Sequence, residues 1–256
     1  MRGWRIVTVI LLAILIGLTC IQPAKAYTKV VGFNLAKAVV ERLPPEWKEV
    51  FSTYYNLIDS SIAEVHDATR NASYNPVEDR GELISRALHR YSRFIEKLDE
   101  KNFAGASEEL GAFIFFVTEL ANPVRLAENF SKKLVVKWEA LTAKEVFEIV
   151  VGEAEDVDNV REYLRGLALE AMEYTDEALN AIETRELSKD LKSAIEGLLS
   201  RAATVSYTLV LKALGTHFSN MLPYAVAWIV GLLAVGILIL NYKYVMKGVK
   251  KIKKKV

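Results

Sequence analysis

SEELGAFIFFVTELA, residues 107–121, decides the fold. From Phe113 through Ile114, Phe115, Phe116 and Val117 the stretch is apolar on every side, with neither the period of two of a half-buried strand nor the single stripe of a surface helix. A helix that is apolar all round belongs in the middle of a bundle. Pro123, just beyond, limits its continuation.

Working outward, the flanking patterns are also helical. Ile84, Leu88, Tyr91, Ile95 and Leu98 step by four and three and give one apolar face to a preceding helix. Gly32 to Leu43 predicts a first helix stopped by Pro44-Pro45, and Glu46 to Ala72 a second. Beyond a segment near Ala143 to Val151, two long helices are expected at about Asp156 to Thr184 and Leu187 to Leu214. The first of these carries Val160, Leu164, Leu167, Ala171, Tyr174, Ala178 and Ile182 on one face. Strand signals are scarce, and Lys133 to Val136 is too short and isolated to propose a sheet. The expected class is all-α, a helical bundle in one domain over residues 27–216.

Both ends of the chain carry membrane signals. Arg2 and Arg5, the apolar run Ile6 to Leu18 and the small-x-small sequence Ala24-Lys25-Ala26 predict a secretory signal peptide over 1–26, cleaved after Ala26. The alternative is retention as an anchor. Leu222 to Leu240 is almost wholly apolar, and nineteen residues at ~1.5 Å each approach the ~30 Å hydrocarbon core, so 222–240 is the expected transmembrane helix. Tyr224 and Trp228 lie towards one end, Tyr242 and Tyr244 at the other, where interfacial aromatics belong. The tail 241–256 holds seven lysines and no acid, which places it in the cytoplasm and the domain outside, at the plasma membrane. That tail should meet anionic lipid head groups.

The formal net charge of +1 hides an asymmetry. All 32 acidic residues lie between Tyr27 and Leu222 with 23 basic ones, a net charge of −9 that argues against nucleic acid as a partner. Cys20 is the single cysteine and leaves with the signal, so no disulfide or thiol chemistry is expected in the mature protein. Asn71-Ala72-Ser73 and Asn129-Phe130-Ser131 match the N-glycosylation pattern. There is no Gly-rich phosphate loop and no nucleophile elbow.

The stretch LHRYSRFIEKLDEKNFAGASEELGAFIFFVTELANPVRLAENF, residues 88–130, resembles the zinc-dependent phospholipase C family, whose helical fold is shared with the fungal single-strand-specific nucleases. Weaker similarity in VVGFNLAKAVVERLPPEWKEVF and SRAATVSYTLVLKALG extends the resemblance to residues 31–216. It implies a bundle in which a central helix bears His-x-x-x-Asp and the next turn Pro-x-His. Here those positions read Phe115-Phe116-Val117-Thr118-Glu119 and Pro123-Val124-Arg125, with the spacings kept. Glu139 matches the glutamate of a later His-x-x-x-Glu pair, whose partner position is Val135.

In the family, histidines and carboxylates hold three zinc ions that activate a water and neutralise phosphate. A phenyl ring at Phe115 and an isopropyl group at Val135 donate no lone pair, and Arg125 is a cation where a neutral imidazole belongs. Substitution of a ligand pair by Glu119 and Arg125 predicts an internal salt bridge in place of metal, with Phe113, Phe115 and Phe116 filling the vacancy. His66, beside Asp67, lies where the family places a ligand. It is read either as an exposed helix histidine paired with Asp67 or Glu64, or as one ligand of a single zinc held with Asp67 or Asp59 and Glu119. His89 is expected in packing or at the surface, and His217 has no partner in view.

Three functions are compatible with these readings. The first is a non-catalytic, membrane-tethered binding or structural module, without cofactor, whose ligand is an unknown protein or a phospholipid. The second is a zinc-dependent phosphodiesterase or phospholipase with a reduced metal site. The third is the helical ectodomain of a sensor or assembly partner.

Overall fold

The computed structural model describes residues 27–215, and the expected signal 1–26, span 222–240 and tail 241–256 lie outside the described residues. Among the described residues no helix is long and apolar enough to cross a membrane. The chain divides into two compact units, Met1–Leu211 and Lys212–Val256, and the helical bundle belongs to the first.

At its centre is the helix expected from residues 107–121. Residues Phe103–Leu120 form it, and apart from Glu108 and Glu109 everything from Ala106 to Leu120 is buried. Asn102 caps its start by accepting from the Gly105 N–H, satisfying a donor that the first turn leaves open. The elements before it are α1 (Tyr27–Arg42), α2 (Pro45–Thr53), α3 (Tyr55–Ala68) and α4 (Glu82–Asp99), making the central helix α5. After it come a 3₁₀ turn (Pro123–Leu126), α6 (Lys132–Thr142), α7 (Val160–Met172), α8 (Thr175–Thr184) and a helix α9 that begins at residue 189 and runs to the limit of the described residues. The all-α class holds.

Several boundaries differ from expectation for local reasons. Pro45 occupies the first turn of α2, where its missing N–H costs nothing, so the proline pair separates two helices as expected. The expected helix 46–72 breaks at Tyr54, and the expected helix 156–184 breaks into α7 and α8 at Glu173 and Tyr174. Asn159 accepts from the Arg161 and Glu162 N–H groups and starts α7. Residues 143–159 form no helix. On α4 the buried face is Leu83, Ile84, Ala87, Tyr91, Phe94 and Leu98, so the expected stripe is turned slightly, towards Phe94 and away from Leu88 and Ile95.

Between α3 and α4 lies a small hairpin, Tyr74–Asn75 paired antiparallel with Arg80–Gly81. Asn75 accepts from the Val77 and Glu78 N–H groups, an Asx turn that bends the chain back. Two arginines of α7 then pin it: Arg161 to Asp79 at 3.1 Å, and Arg165 to the Pro76 carbonyl at 2.7 Å and the Val77 carbonyl at 3.2 Å. Tyr74 donates its hydroxyl to Asp79. That hydrogen bond, then Arg161, holds the Asp79 carboxyl below the usual carboxylate range, while burial and the same bond push the Tyr74 hydroxyl up.

At Gly111 the central helix α5 packs closely on the backbone of α3. A Cβ on Gly111 would lie 2.4 Å from the Ile58 carbonyl oxygen and 2.9 Å from the Ile58 Cα, both backbone atoms that cannot swing aside. Gly111→Ala should therefore lower stability by about 1–3 kcal/mol through overpacking. At Gly166 in α7 a Cβ would meet nothing within 4 Å, so the alanine variant should gain about 0.4–1 kcal/mol. Thermal unfolding of the two variants beside the parent checks both signs.

A pH dependence comes from the hairpin. Asp79 has a lowered folded pKa, so its contribution is present above the ordinary value and is lost as pH falls through the folded one. Tyr74 has a raised one, so its contribution is complete below about pH 10 and is lost above it. Hydrogen exchange of the hairpin amides should speed up at both extremes, and Asp79→Asn should remove the acid limb.

Candidate functional site: a buried ion-paired centre

The end of α3, the end of α5, the 3₁₀ turn and α6 converge on one region. Phe115 and Glu119 are four residues apart on α5 and so share a face. Asn122 accepts from the Val124 N–H, which starts the turn and sets Arg125 three residues on. The expected ion pair is formed: Arg125 Nε meets Glu119 Oε2, and neither side chain has any exposed surface. The guanidinium also donates to the carbonyls of Thr69, Arg70 and Ala72 at 3.2, 3.0 and 3.2 Å, and lies over the Phe130 ring at 5.6 Å.

Those three carbonyls come directly after α3. The end of a helix leaves carbonyls without intrahelical donors and carries partial negative charge, so a cation is stabilised there. Arg125 thus meets a carboxylate on one side and a helix C-terminus on the other. Taking both ions out of water costs several kcal/mol each, which the ion pair and the three bonds from Nη1 offset in part, while the buried Nη2 meets no acceptor among the described residues.

The second pair corrects the sequence expectation for His66. It is not on the surface: the side chain is 3% exposed, with Nε2 3.1 Å from Glu139 Oε1 on α6. Phe115 stands edge-on to the imidazole at 6.0 Å, and Trp138 beside Glu139 on α6 is fully buried. Val135, one turn before Glu139, is buried as well. The backbone of Asp67 belongs to α3 and its side chain lies outside the described residues. Asp59 lies two turns earlier on α3, facing Tyr55, and burial pushes its carboxyl up. His89 is exposed, as one of its two expected settings, and His217 lies outside the described residues.

The six positions Phe115, Glu119, Arg125, Val135, Glu139 and His66 thus belong to one region of the core, but the donor set does not fit a three-zinc cradle. Arg125 already neutralises Glu119, and a dication brought to that carboxylate would meet the guanidinium as a like charge. Phe115 and Val135 supply no lone pairs. His66 and Glu139 leave two ligands, short of the three that a catalytic zinc takes from protein. Among the described residues no three His, Cys, Asp or Glu side chains are grouped to hold a metal ion.

Next to the centre a groove of about 450 Å³ opens between α3 and α4, floored by Val65, Ala68 and Phe116 and rimmed by Ser85, Arg86 and His89. Arg86 is paired with Glu82 on the same helix. The groove is an open surface of mixed character, and none of the four ion-paired residues lines it.

Sequence reasoning found Glu119, Arg125, Glu139 and His66 but missed two partners. The pairing of His66 with Glu139 spans 73 residues and has no local signature. The carbonyls that receive Arg125 are backbone groups, which any residue supplies.

Arg125→Met should cost about 3–5 kcal/mol, because Glu119 is then buried without a counter-ion. Adding Glu119→Leu should recover part of that loss but not all, since the Thr69, Arg70 and Ala72 carbonyls still lack their donor. Denaturant unfolding of the single and double variants measures the coupling, and strictly additive losses would mean that the two charges act independently. No protein-family model matches the chain, and no curated protein matches it.

Proposed function

We propose that this protein is a membrane-tethered, non-catalytic module: a helical domain of the phospholipase C type, displayed outside the cytoplasm, that binds or scaffolds rather than hydrolyses. The observation that carries the reading is the buried Arg125 guanidinium paired with Glu119, at positions where the resembled family places metal ligands. A fixed cation there gives the bundle the internal charge balance that zinc gives that family, without the Lewis acidity that activates water.

The sequence at both ends supports the tether. A signal over 1–26, a span over 222–240 and a lysine tail over 241–256 make a single-pass plasma-membrane protein whose tail contacts anionic lipid. The acidic outer domain repels nucleic acid, so its ligand is sought among proteins and phospholipids.

A second reading is favoured by one observation. His66 and Glu139 face each other in the core, and an imidazole and a carboxylate are both zinc ligands. Opened to solvent, they could hold a single metal in a reduced phosphodiesterase site.

Metal content separates the two. The full chain, incubated with zinc and freed of excess, should retain less than about a tenth of an equivalent by mass spectrometry, against one or more for a catalytic site. It should also leave bis(4-nitrophenyl) phosphate unhydrolysed. One tightly held equivalent, with hydrolysis abolished by Glu139→Gln, would establish the enzyme instead.

A further inference from the structure

Residues 143–159 form no helix, yet 146–155 is laid along α9 in a fixed register. The N–H groups of Glu148, Val150 and Gly152 donate to Glu196 Oε1, Ser200 Oγ and Thr204 Oγ1 at 3.3, 3.0 and 2.9 Å, and the Glu155 N–H donates to Thr208 Oγ1 at 3.2 Å. The acceptors are four residues apart on the helix, hence about 6 Å along its axis. Two residues of strap cross each of the first intervals, about 3 Å per residue, which is the rise of an extended strand.

Burial agrees. Phe147 is buried and Ile149 and Val151 are half-buried, while Val146, Glu148 and Val150 are exposed, an alternation with period two. Phe147 and Ile149 belong to the core formed with Trp138, Ile182 and Ile195. The strap is therefore a lone strand whose usual partner strand is replaced by the side chains of a helix.

In a strand, successive backbone groups point to opposite edges. The groups of residues 148, 150 and 152 face α9, so those of Ile149 and Val151 face the other way. Among the described residues, neither N–H meets an acceptor. Val146 and Val150, 82% and 59% exposed, stand beside that edge. An unpaired edge with exposed apolar side chains is a template for an added strand.

The charge around it selects the occupant. Residues 145–158 hold six acidic side chains and no basic one. Glu145 and Glu155 are paired with Lys192 and Arg201, whereas Glu148, Glu153, Asp156 and Asp158 are exposed and have no ion-pair partner among the described residues. A second copy of the strap would bring the same carboxylates against them, and like charges across a strand pair destabilise it.

We propose that the strap is a docking edge on which a partner protein adds an extended segment whose outward face carries an apolar, a basic and an apolar side chain at every second residue. Its backbone pairs with Ile149 and Val151, its two apolar side chains cover Val146 and Val150, and the cation between them on the same face meets Glu148. The inference rests on the domain being a binding module but uses none of the residues of the ion-paired centre, so zinc content and docking fail separately.

The test uses the full chain in an uncharged detergent and the capped heptapeptide Ser-Val-Thr-Lys-Thr-Val-Ser, whose valine, lysine and valine share one face when extended. At saturation the peptide should slow hydrogen exchange at Ile149 and Val151 by about tenfold. The same peptide with glutamate for lysine, or N-methylated along one edge, should leave both amides unchanged. Glu148→Lys, at an exposed side chain, should weaken binding by at least about tenfold while the exchange of α5 amides stays as in the parent. Three results would overturn the proposal: unchanged exchange at Ile149 and Val151 with the lysine–valine peptide, equal binding of the N-methylated peptide, or slowing that depends on protein concentration alone, which would assign the edge to a second copy.

Discussion

A guanidinium with no exposed surface has to spend its donors inside the protein, and the region around Arg125 is arranged by that requirement. Its partners come from three directions: Glu119 near the end of the central helix, the carbonyls that close α3, and the aromatic face of Phe130. The end of α3 and the entry to the hairpin are thereby fixed relative to α5. The α7 arginines then hold the tip of the same hairpin, so the connection between α3 and α4 is anchored at both ends by side chains from later in the chain.

The same constraint distinguishes the Arg125 centre from a zinc cradle. Zinc binding gathers a helix bundle around a dication and leaves an open position for chemistry. An arginine gathers it around a single charge whose geometry is a planar fork. With Arg125 the charge is covalently part of the chain and its site is closed. The pairing of His66 with Glu139, with Phe115 edge-on to the imidazole, fills the adjoining space in the same manner. Accessible surface includes the groove over Val65 and Phe116 and the strap along α9.

The central helix was legible because its composition admits no exposed face, and Pro44-Pro45 and Pro123 marked where the chain leaves a helix. The ion pair was legible as well, since Glu119 and Arg125 stand at recognisable spacing beside a proline. Legibility stopped where one interaction joined distant segments or used backbone groups. Nothing near His66 in the sequence points to Glu139, and nothing in Thr69, Arg70 or Ala72 marks them as acceptors. Residues 143–159 were opaque for another reason. Val146, Phe147, Ile149, Val150 and Val151 make a short apolar run that suits a helix or a strand equally. Its conformation is decided by Ser200, Thr204 and Thr208, half a hundred residues later.

The ladder between the strap and α9 works as a vernier. Helical rungs recur every ~6.0 Å and extended ones every ~6.6 Å, so the two scales drift by about half an ångström per step. Hydrogen bonds tolerate only a few tenths of an ångström around their optimum, so such a ladder has to slip after a few rungs. The regular pairing ends at Gly152: three residues instead of two separate the last pair of donors over the same ~6 Å of helix, so the chain there is no longer extended. A strand held against a helix is thus self-limiting in length, and unlike the margin of a sheet it cannot grow into a long adhesive border.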